Sequence, residues 1–538
     1  PGAARRPHRD ANEGPPARPA ETGRGDAGQP AAHESDRPAR LWDLATCLIA
    51  AGVVAVYTVI SVFRYLRRDP TSWDLGIFTE YVKQYAHLKA PIVDIKAARF
   101  DLLGDHFHPI VALIAPFFRL FPTSITLLVA QALLAGVSVL PVSQLGRELL
   151  GNASGRSIAA AYGLSWGLQQ MANYDFHEIA FAVPLLAFSL SAVVRGRTKA
   201  AVLWAIPLVF VKEDQGFTVL AIGLILAFGY RRRGAGLLLE CWGLLWSLLA
   251  ITVIIPHFNP QHSYHYWTEA GAFSPVGGHL SVGALWSTLS DGAATKLPTL
   301  ALILLPTAFI ALRSPVILAA LPSLVLRAIN TNPSYWGTAW HYNATVMPII
   351  FIAAIDAMAR IRARRRGGVG QPAGPGEPVV ASPAAGAGWP RSRLIAALES
   401  AAERYGVAAM VAICAALAFQ FPLSSLWTPA TYSLGRHVAA ENRAMALVPD
   451  GASVSTDLDL LAPLASRTDT YWLGKASTNP ATRYVVFDTQ STDCTAWEAV
   501  CLSARPGTVL PFVASLTHGA HYEQIYASNG VFVFRRSA

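Results

Sequence analysis

The chain has 538 residues, of which 53% are hydrophobic and only 14% are charged, and its mean hydropathy is +0.35. Soluble proteins carry about a quarter of their residues as charged side chains. This composition therefore excludes an ordinary soluble enzyme and predicts a multi-pass membrane protein. The net charge of +9 does not indicate a nucleic-acid partner, because Arg and Lys flank the apolar runs instead of forming a basic module with aromatics.

The chain begins with a polar segment, residues 1–40, rich in Pro, Gly, Ala, Arg and acidic residues. So few large apolar side chains cannot offset chain entropy, which predicts a disordered cytoplasmic tail. This tail is too long and too polar for the start of a cleaved signal peptide. The first apolar run, residues 44–62, is therefore predicted to be an uncleaved anchor.

Further apolar runs approach the length of about 20 residues that a helix needs to cross a bilayer. They lie at 124–145, 157–173, 179–194, 200–211, 216–230, 236–256, 298–312, 315–329, 343–359 and 404–421. Together with the first run they predict a mainly α fold, a polytopic transmembrane core of about eleven spans. The run 109–120 contains prolines and is predicted to be re-entrant or interfacial.

Basic residues alternate between the connecting loops. The basic loops hold Arg147 and Arg156; Arg195, Arg197 and Lys199; Arg231 to Arg233; Arg313; and the run Arg360 to Arg366. The short loops between them, near 174–178, 212–215 and 330–342, contain only Lys212. Cytoplasmic loops carry the excess of Arg and Lys, so the N-terminus is predicted to lie in the cytoplasm. Arg64, Arg67 and Arg68, after the first span, violate this rule locally.

The C-terminal region differs in character from the rest. Short strand-like runs at 452–455, 484–488 and 530–534 alternate with helix-like stretches at 436–447 and 457–465, which is typical of a small α/β domain. The predicted divisions are a tail (1–40), a transmembrane core (41–366) with a large first outer loop (63–122), a cytoplasmic linker and short helix (367–403), a last span (404–421) and an extracytoplasmic α/β domain (422–538). In such an oxidising compartment Cys494 and Cys501 are candidates for a disulfide, and the sequence leaves that pairing open.

Ionisable residues gather in the loops predicted to lie outside. Charges near a membrane are costly, so they usually face a polar cavity or pathway. The candidates are Asp74, Asp105, His106, His108, His177, Glu178, Lys212, Glu213, Asp214 and His341. The outer loops are thus predicted to build one site.

Several of these residues fit two roles. Asp74 precedes an apolar stripe and could cap a helix or serve as a general base. His106 and His108, beside Asp105, could ligate a divalent metal such as Mg or Mn or could only hydrogen-bond within the loop. Lys212 could pair with the neighbouring acids or bind a phosphate.

Four motifs resemble a known family. They are Trp73-Asp74-Leu75-Gly76-Ile77-Phe78, Gly104-Asp105-His106-Phe107, His177-Glu178 and Lys212-Glu213-Asp214-Gln215-Gly216. In this order they resemble a bacterial family of polytopic membrane proteins of unknown function that is grouped with the GT-C class of integral-membrane glycosyltransferases. The resemblance covers about residues 44–360.

The resemblance implies a glycosyltransferase that uses a polyprenyl-phosphate sugar on the extracytoplasmic face and inverts the anomeric centre. The acceptor would be a cell-envelope glycan, lipid or protein. By position the resemblance assigns catalysis to Asp74, and a bacterial family implies a place in the bacterial plasma membrane. The chemistry of transfer adds the other roles: Asp105 could be the base instead of Asp74, and the departing phosphate needs positive charge or a metal. The predicted substrate or lipid-phosphate ligands are His106, His177, Glu178, Lys212, Glu213, Asp214 and His341. The loop lacks an Asp-x-Asp pair, which leaves the metal open. The alternatives are a transporter or flippase for a lipid-linked precursor and a non-catalytic assembly or sensor protein.

Overall fold

A computed structural model describes residues 43–70, 72–267, 282–367, 393–473, 482–492, 511, 513 and 519–537. The predicted tail at 1–40, most of the linker at 367–403, and both Cys494 and Cys501 lie outside the described residues.

The described chain is mainly helical. The helices are α1 (Leu44–Leu66), α2 (Asp74–Ala86), α3 (Ala115–Leu120), α4 (Ile125–Leu150), α5 (Asn152–Gly163), α6 (Trp166–Asn173), α7 (Ala182–Val194), α8 (Thr198–Ala205), α9 (Gln215–Leu224), α10 (Arg233–Leu249), α11 (Ile255–Phe258), α12 (Val282–Ser290), α13 (Ala293–Leu304), α14 (Leu321–Ala328), α15 (Val346–Gly367), α16 (Arg393–Ala418), α17 (Arg436–Ala446) and α18 (Leu458–Ala465). Short 3₁₀ turns extend several of them, among them Glu178–Phe181 before α7 and His341–Asn343 before α15.

Five helical stretches are long and apolar enough to cross a membrane. They are Leu44–Leu66, Ile125–Leu150, Arg233–Phe258, His341–Arg365 and Ile395–Ala418. Shorter apolar helices lie at most of the other predicted spans, for example Glu178–Val194 and Gln215–Gly229. The predicted span 157–173 is divided between α5 and α6. The chain is a multi-pass membrane protein, and the count of about eleven spans stays a prediction.

Helix α15 forms the centre of the helical core. Its apolar residues are almost completely buried, including Phe351 and Ile355, and it contacts α4, α7 and α16. A helix that is apolar on all sides is expected at the centre of a bundle. The loop that precedes α15 is thereby fixed against the surrounding helices.

Helices α9 and α10 cross with almost no side chain between them. A Cβ at Gly216 would lie 2.3 Å from the backbone oxygen of Gly243, and a Cβ at Gly243 would lie 2.2 Å from that of Gly216. Glycine at both positions lets the backbones touch. Gly216 ends the motif that begins at Lys212, so this crossing anchors the motif.

The basic loops meet at one end of the bundle. Asp43 pairs with Arg147 at 3.0 Å and with Arg156 at 2.9 Å, and Arg195 pairs with Glu148 at 2.5 Å. These loops were predicted to share the cytoplasmic face. Their convergence agrees with a common side, although which side faces the cytoplasm stays a prediction.

The three arginines that violate the charge rule have structural partners. Arg64 donates to the backbone oxygen of Asn173. Arg67 pairs with Asp69 at 2.7 Å and donates to Thr431, whereas Arg68 donates to Asn442. Arg64 thus joins the end of α1 to α6, and Arg67 and Arg68 join it to the C-terminal region, which explains why basic residues occur here.

The C-terminal region contains a five-stranded sheet in the order β2-β1-β3-β5-β4. Its strands are β1 (Ser453–Thr456), β2 (Asp469–Trp472), β3 (Tyr484–Asp488), β4 (Tyr522–Ser528) and β5 (Val531–Arg536). Strand β1 runs parallel to β2 and β3, and β5 runs antiparallel to β3 and β4. With α17 and α18 this makes a small α/β unit, as the sequence predicted.

The α/β unit packs directly on α2. Trp73, just before α2, contacts Trp472 with ring centroids 4.9 Å apart. Lys83 Nζ donates to the backbone oxygen of Thr468 at 2.7 Å. A Cβ at Gly76 would lie 3.1 Å from the Cβ of Leu461 in α18. The first outer loop therefore lies between the helical core and the sheet.

Candidate functional site

The outer loops enclose a cavity of about 300 Å³. Its ionisable lining residues are Asp74, Lys96, Asp105, His106, His108, His177, Glu178, Lys212 and His341. They come from α2, the loop before α3, the turns before α7 and α9, and the segment before α15. The structure thus brings together residues that are up to 267 positions apart in the sequence (341 − 74).

Asp74 is the first residue of α2, but its side chain does not cap the helix. Its carboxylate instead accepts a hydrogen bond of 2.5 Å from the hydroxyl of Tyr174. Ser72 supports this pair, because its Oγ accepts from the backbone N–H of Asp74 at 3.0 Å and lies 2.9 Å from Tyr174 Oη. Helix α2 buries Leu75 and Phe78 against the core, which fixes the direction of Asp74.

Asp105 has two partners. Lys96 Nζ lies 2.9 Å from one carboxylate oxygen, and the hydroxyl of Tyr266 donates to the other at 3.2 Å. Burial alone would raise the pKa of Asp105, but the charges of Lys96 and His106 lower it to about 2. Asp105 is therefore a permanent anion paired with a cation.

His106 is held by Glu213 from the turn before α9. Its Nδ1 lies 2.7 Å from Glu213 Oε1, and its ring stacks on Tyr266 with centroids 4.3 Å apart. Tyr264 and the backbone N–H of Phe107 also donate to Glu213, both at 3.0 Å. Burial opposes protonation, yet Glu213 raises the pKa of His106 above its usual value. Glu213 therefore favours the protonated form of His106.

The pKa of His108 is shifted in the opposite direction. It is 2% exposed, its Nδ1 lies 3.2 Å from the hydroxyl of Tyr81, and burial lowers its pKa to about 4. A neutral imidazole both donates and accepts hydrogen bonds. The pKa values of two histidines that are two residues apart are thus shifted in opposite directions.

Glu178 is completely buried and lies between two basic side chains. His177 Nδ1 is 2.7 Å from one of its oxygens, and Lys212 Nζ is 3.3 Å from the other. Burial would lower the pKa of Lys212, but Glu178 and Glu213 raise it above its usual value. Lys212 is therefore charged, and its ion partner comes from the turn before α7 instead of from its own turn.

The ring of His341, in the cavity wall, makes no hydrogen bond to the described residues. Its ring stacks on that of His177 with centroids 3.7 Å apart. Both ring nitrogens are buried, and neither has a hydrogen-bond partner among the described residues. Buried polar groups normally have such partners, so this ring is suited to bind a ligand group.

A second cavity, of about 210 Å³, adjoins the first. The two share His106, Lys212, Tyr266, Tyr335, His341 and Tyr342. Glu213 and Asp214 line the second one, and burial raises the pKa of Asp214. Apolar residues cover much of the remaining wall, including Phe217, Ile251 and Leu326. Lys212 and His341 therefore stand between a polar and a more apolar space.

The predicted metal ligands do not converge. The ring centroids of His106 and His108 are 6.3 Å apart, and each Nδ1 has a protein partner. Asp105 is already paired with Lys96. These residues do not fit a common Mg or Mn ion, which would take several oxygen ligands in an octahedron.

Gly104 lets the first outer loop approach α11. A Cβ at Gly104 would lie 2.6 Å from backbone atoms of Phe258 and Asn259. The side chain of Asn259 donates to the backbone oxygen of Gly104 at 2.8 Å. This contact positions Asp105 and His106, which follow directly.

Gly104→Ala is expected to lower the free energy of unfolding by about 1–3 kcal/mol, since the added methyl must displace backbone atoms. Thermal denaturation of the detergent-purified protein measures this change. Gly52→Ala is the matched control, because no atom lies within 4 Å of a Cβ there, and alanine is the better helix former. Equal melting temperatures for the two variants would contradict the close packing.

Sequence reasoning found every acid and histidine described above but missed several partners. Lys96 was overlooked because a single lysine in a polar loop has no pattern. Tyr264 and Tyr266 were not among the candidates, although they hydrogen-bond Glu213 and Asp105. Tyr174, which donates a hydrogen bond to Asp74, was also missed, although His177 and Glu178 of the same turn were candidates.

Comparisons with solved structures give likenesses at low identity. The crystal structure of ArnT from Cupriavidus metallidurans bound to undecaprenyl phosphate has 14% identity and a TM-score of 0.46, over 91% of this chain and 98% of that one. The apo state of the same protein has 13% identity and a TM-score of 0.48, over 90% of this chain and 97% of that one. The Archaeoglobus fulgidus oligosaccharyltransferase complex with Zn and sulfate has 14% identity and a TM-score of 0.38, over 90% of this chain and 73% of that one. Such scores do not identify an activity.

Sequence comparisons are more specific. No curated protein matches the chain. The family model described as predicted membrane protein (DUF2079) matches residues 69–532, which is most of the sequence.

Proposed function

The chain belongs to the DUF2079 family of predicted membrane proteins, and we propose that it is a membrane glycosyltransferase. It transfers a sugar from a polyprenyl phosphate to a cell-envelope acceptor on the extracytoplasmic face and inverts the anomeric centre. The α/β unit lies on the same face.

One observation carries this proposal: Asp74 differs from the other carboxylates of the cavity. Asp105 and Glu178 each have a basic partner within 3.3 Å. Among the described residues the carboxylate of Asp74 has no ion pair, and it accepts a hydrogen bond from the neutral hydroxyl of Tyr174. A carboxylate that is not neutralised by a cation is free to accept a proton. Asp74 therefore suits the general base, whereas Asp105 positions Lys96.

The cations of the cavity suit the leaving group. Lys212 and His106 line both cavities, and Lys96 lies over the ring of Trp73 at 5.0 Å. Positive charge fixed beside a departing phosphate stabilises the charge that develops in the transition state. His341, with both ring nitrogens unpartnered, adds hydrogen bonds to the same region.

The two adjoining cavities suit the two parts of a lipid-linked sugar. The apolar wall near Phe217 and Leu326 fits the first prenyl units, and the polar cavity fits the sugar. Trp73 and Trp340 offer aromatic faces in the polar cavity. The phosphate would then lie at Lys212, between the two.

The proposed reaction requires no metal. Asp74 takes the proton from the acceptor hydroxyl as that oxygen attacks the anomeric carbon from one side. The bond from this carbon to the phosphate oxygen breaks on the other side, and its electron pair leaves with the polyprenyl phosphate. Lys212 and His106 offset the charge of that product.

The purified protein, reconstituted in liposomes with a labelled polyprenyl-phosphate sugar, tests the proposal. Lipid, glycan and protein fractions of the cell envelope serve as acceptors. We expect a labelled glycoside of inverted configuration and release of polyprenyl phosphate. Movement of the intact labelled lipid across the bilayer without any glycoside would instead identify a flippase.

A further inference from the structure

The α/β unit contains a cluster of metal-binding side chains away from the proposed active site. His437 and Glu441 are four residues apart on α17, and Asp488 ends β3. Residues four apart lie on one face of a helix. Their ligand atoms all lie within 4.8 Å of one another. Among the described residues, this is the group of three or more His, Cys, Asp or Glu side chains that lie close enough to hold a metal ion.

The cluster contains a carboxylate without a hydrogen bond. Glu441 is 1% exposed, and neither of its carboxylate oxygens has a hydrogen-bond partner in the part of the chain that the structure describes. His437 Nε2 is 3.9 Å away, too far for such a bond. A buried carboxylate costs several kcal/mol unless something compensates its charge, and a cation would do so.

The imidazole of His437 is oriented as in a metal site. Its Nδ1 lies 2.9 Å from the backbone oxygen of Asn529, and its Nε2 lies 2.7 Å from Asp488 Oδ2. Histidines that bind metals usually donate the other ring N–H to a carbonyl or carboxylate. The Nδ1 contact with Asn529 holds the ring in place. Without metal, Nε2 donates to Asp488, and a bound cation would replace that proton between the two side chains.

We infer that His437, Glu441 and Asp488 bind one divalent transition-metal ion, with zinc as the best fit. One nitrogen and two carboxylate ligands suit zinc, which takes three protein ligands and a water in a tetrahedron. Ligand atoms around such an ion are roughly 3.4 Å apart, so shifts below about 1 Å convert the cluster into a site. The side chain of His437 is 28% exposed, which leaves a path for the ion and a position for water.

The ion would join three parts of the α/β unit: α17, the end of β3, and the turn at Asn529 between β4 and β5. Arg68, at the end of α1, donates to Asn442 next to Glu441 at 2.6 Å. The site therefore lies where the unit is attached to the first membrane helix, and its role would be structural. This inference does not depend on the proposed enzymatic activity.

Metal analysis of the full-length protein in detergent tests the inference. The protein is stripped with EDTA, incubated with Zn²⁺, desalted and analysed by mass spectrometry for bound zinc. We expect Glu441→Gln and His437→Gln each to hold one equivalent less than the wild type. Both should bind Zn²⁺ at least about 100-fold more weakly, since each lacks a direct ligand. His521→Gln, an exposed histidine of the same unit, is the matched control.

Thermal denaturation separates metal binding from misfolding. Zn²⁺ should raise the melting temperature of the wild type and His521→Gln by roughly 5 °C, but not that of Glu441→Gln. Without metal, Glu441→Gln should melt no lower than the stripped wild type, because it removes a buried charge. If it does not fold, His437→Gln decides. Equal zinc content and equal stabilisation in wild type and variants would overturn the inference.

Discussion

Asp74→Asn should lower the rate of sugar transfer by about 10²–10⁴-fold, the usual contribution of a general base. The asparagine keeps the size of the side chain and still accepts the hydrogen bond from Tyr174, but it cannot take the acceptor proton. The rate is measured in the liposome assay, with the amount of protein in the membrane determined in parallel.

Asp69→Asn is the control for this experiment. Asp69 lies in the same outer loop, and its carboxylate is exposed and pairs with Arg67 on the surface. Such a pair contributes little to stability, so the rate should stay within about twofold of wild type. Full activity of Asp74→Asn would exclude this carboxylate as the base and leave the proposed reaction without one.

Lys212→Met should abolish transfer and also lower the free energy of unfolding by about 3–5 kcal/mol. The loss of stability has a simple cause: Glu178 is completely buried and would lose its lysine while keeping its own charge. Activity loss in this single variant is therefore ambiguous, because a distorted site would give the same result.

The double variant Lys212→Met with Glu178→Gln resolves the ambiguity. It removes both charges of the pair, so most of the lost stability should return, whereas transfer should remain absent. Lys199→Met, an exposed lysine at a basic loop, is the control for the loss of a positive charge. If the double variant transferred sugar at the wild-type rate, Lys212 would be a structural residue and would not bind phosphate.

The strands show what the sequence could and could not predict. Strands β1, β3 and β5 were found. All three lie in the middle of the sheet, and β3 and β5 are rich in apolar residues. Strands β2 and β4 were missed, and both are edge strands. An edge strand faces solvent on one side and carries polar residues, as the largely exposed β4 does. Its pattern resembles that of a loop.

The membrane core was predictable in type but not in detail. The predicted spans lie on helical segments, because a segment that crosses the bilayer needs an apolar surface. Several of these helices are short, such as α8 and α9, and some continue as 3₁₀ or π turns. Hydropathy measures composition, and it does not report where a helix changes its hydrogen-bonding pattern.

The site was predictable as a set of residues but not as pairs. Ionisable residues in tight turns between apolar runs stand out in any sequence, and Glu178 and Lys212 were found in this way. Their ion pair joins two turns. Tyr174 and Tyr266, which donate to Asp74 and Asp105, likewise come from other loops. Such pairs depend on how the helices are arranged, which no local pattern encodes.

The contact of the α/β unit with α2 has a consequence for heat inactivation. Helix α2 begins at Asp74, and α18 and the loop at Thr468 hold it from outside the helical core. Small units with few buried contacts open at lower free energy than a large core. The protein would therefore lose its site while its membrane helices remain folded, and the small sheet sets the temperature limit of activity.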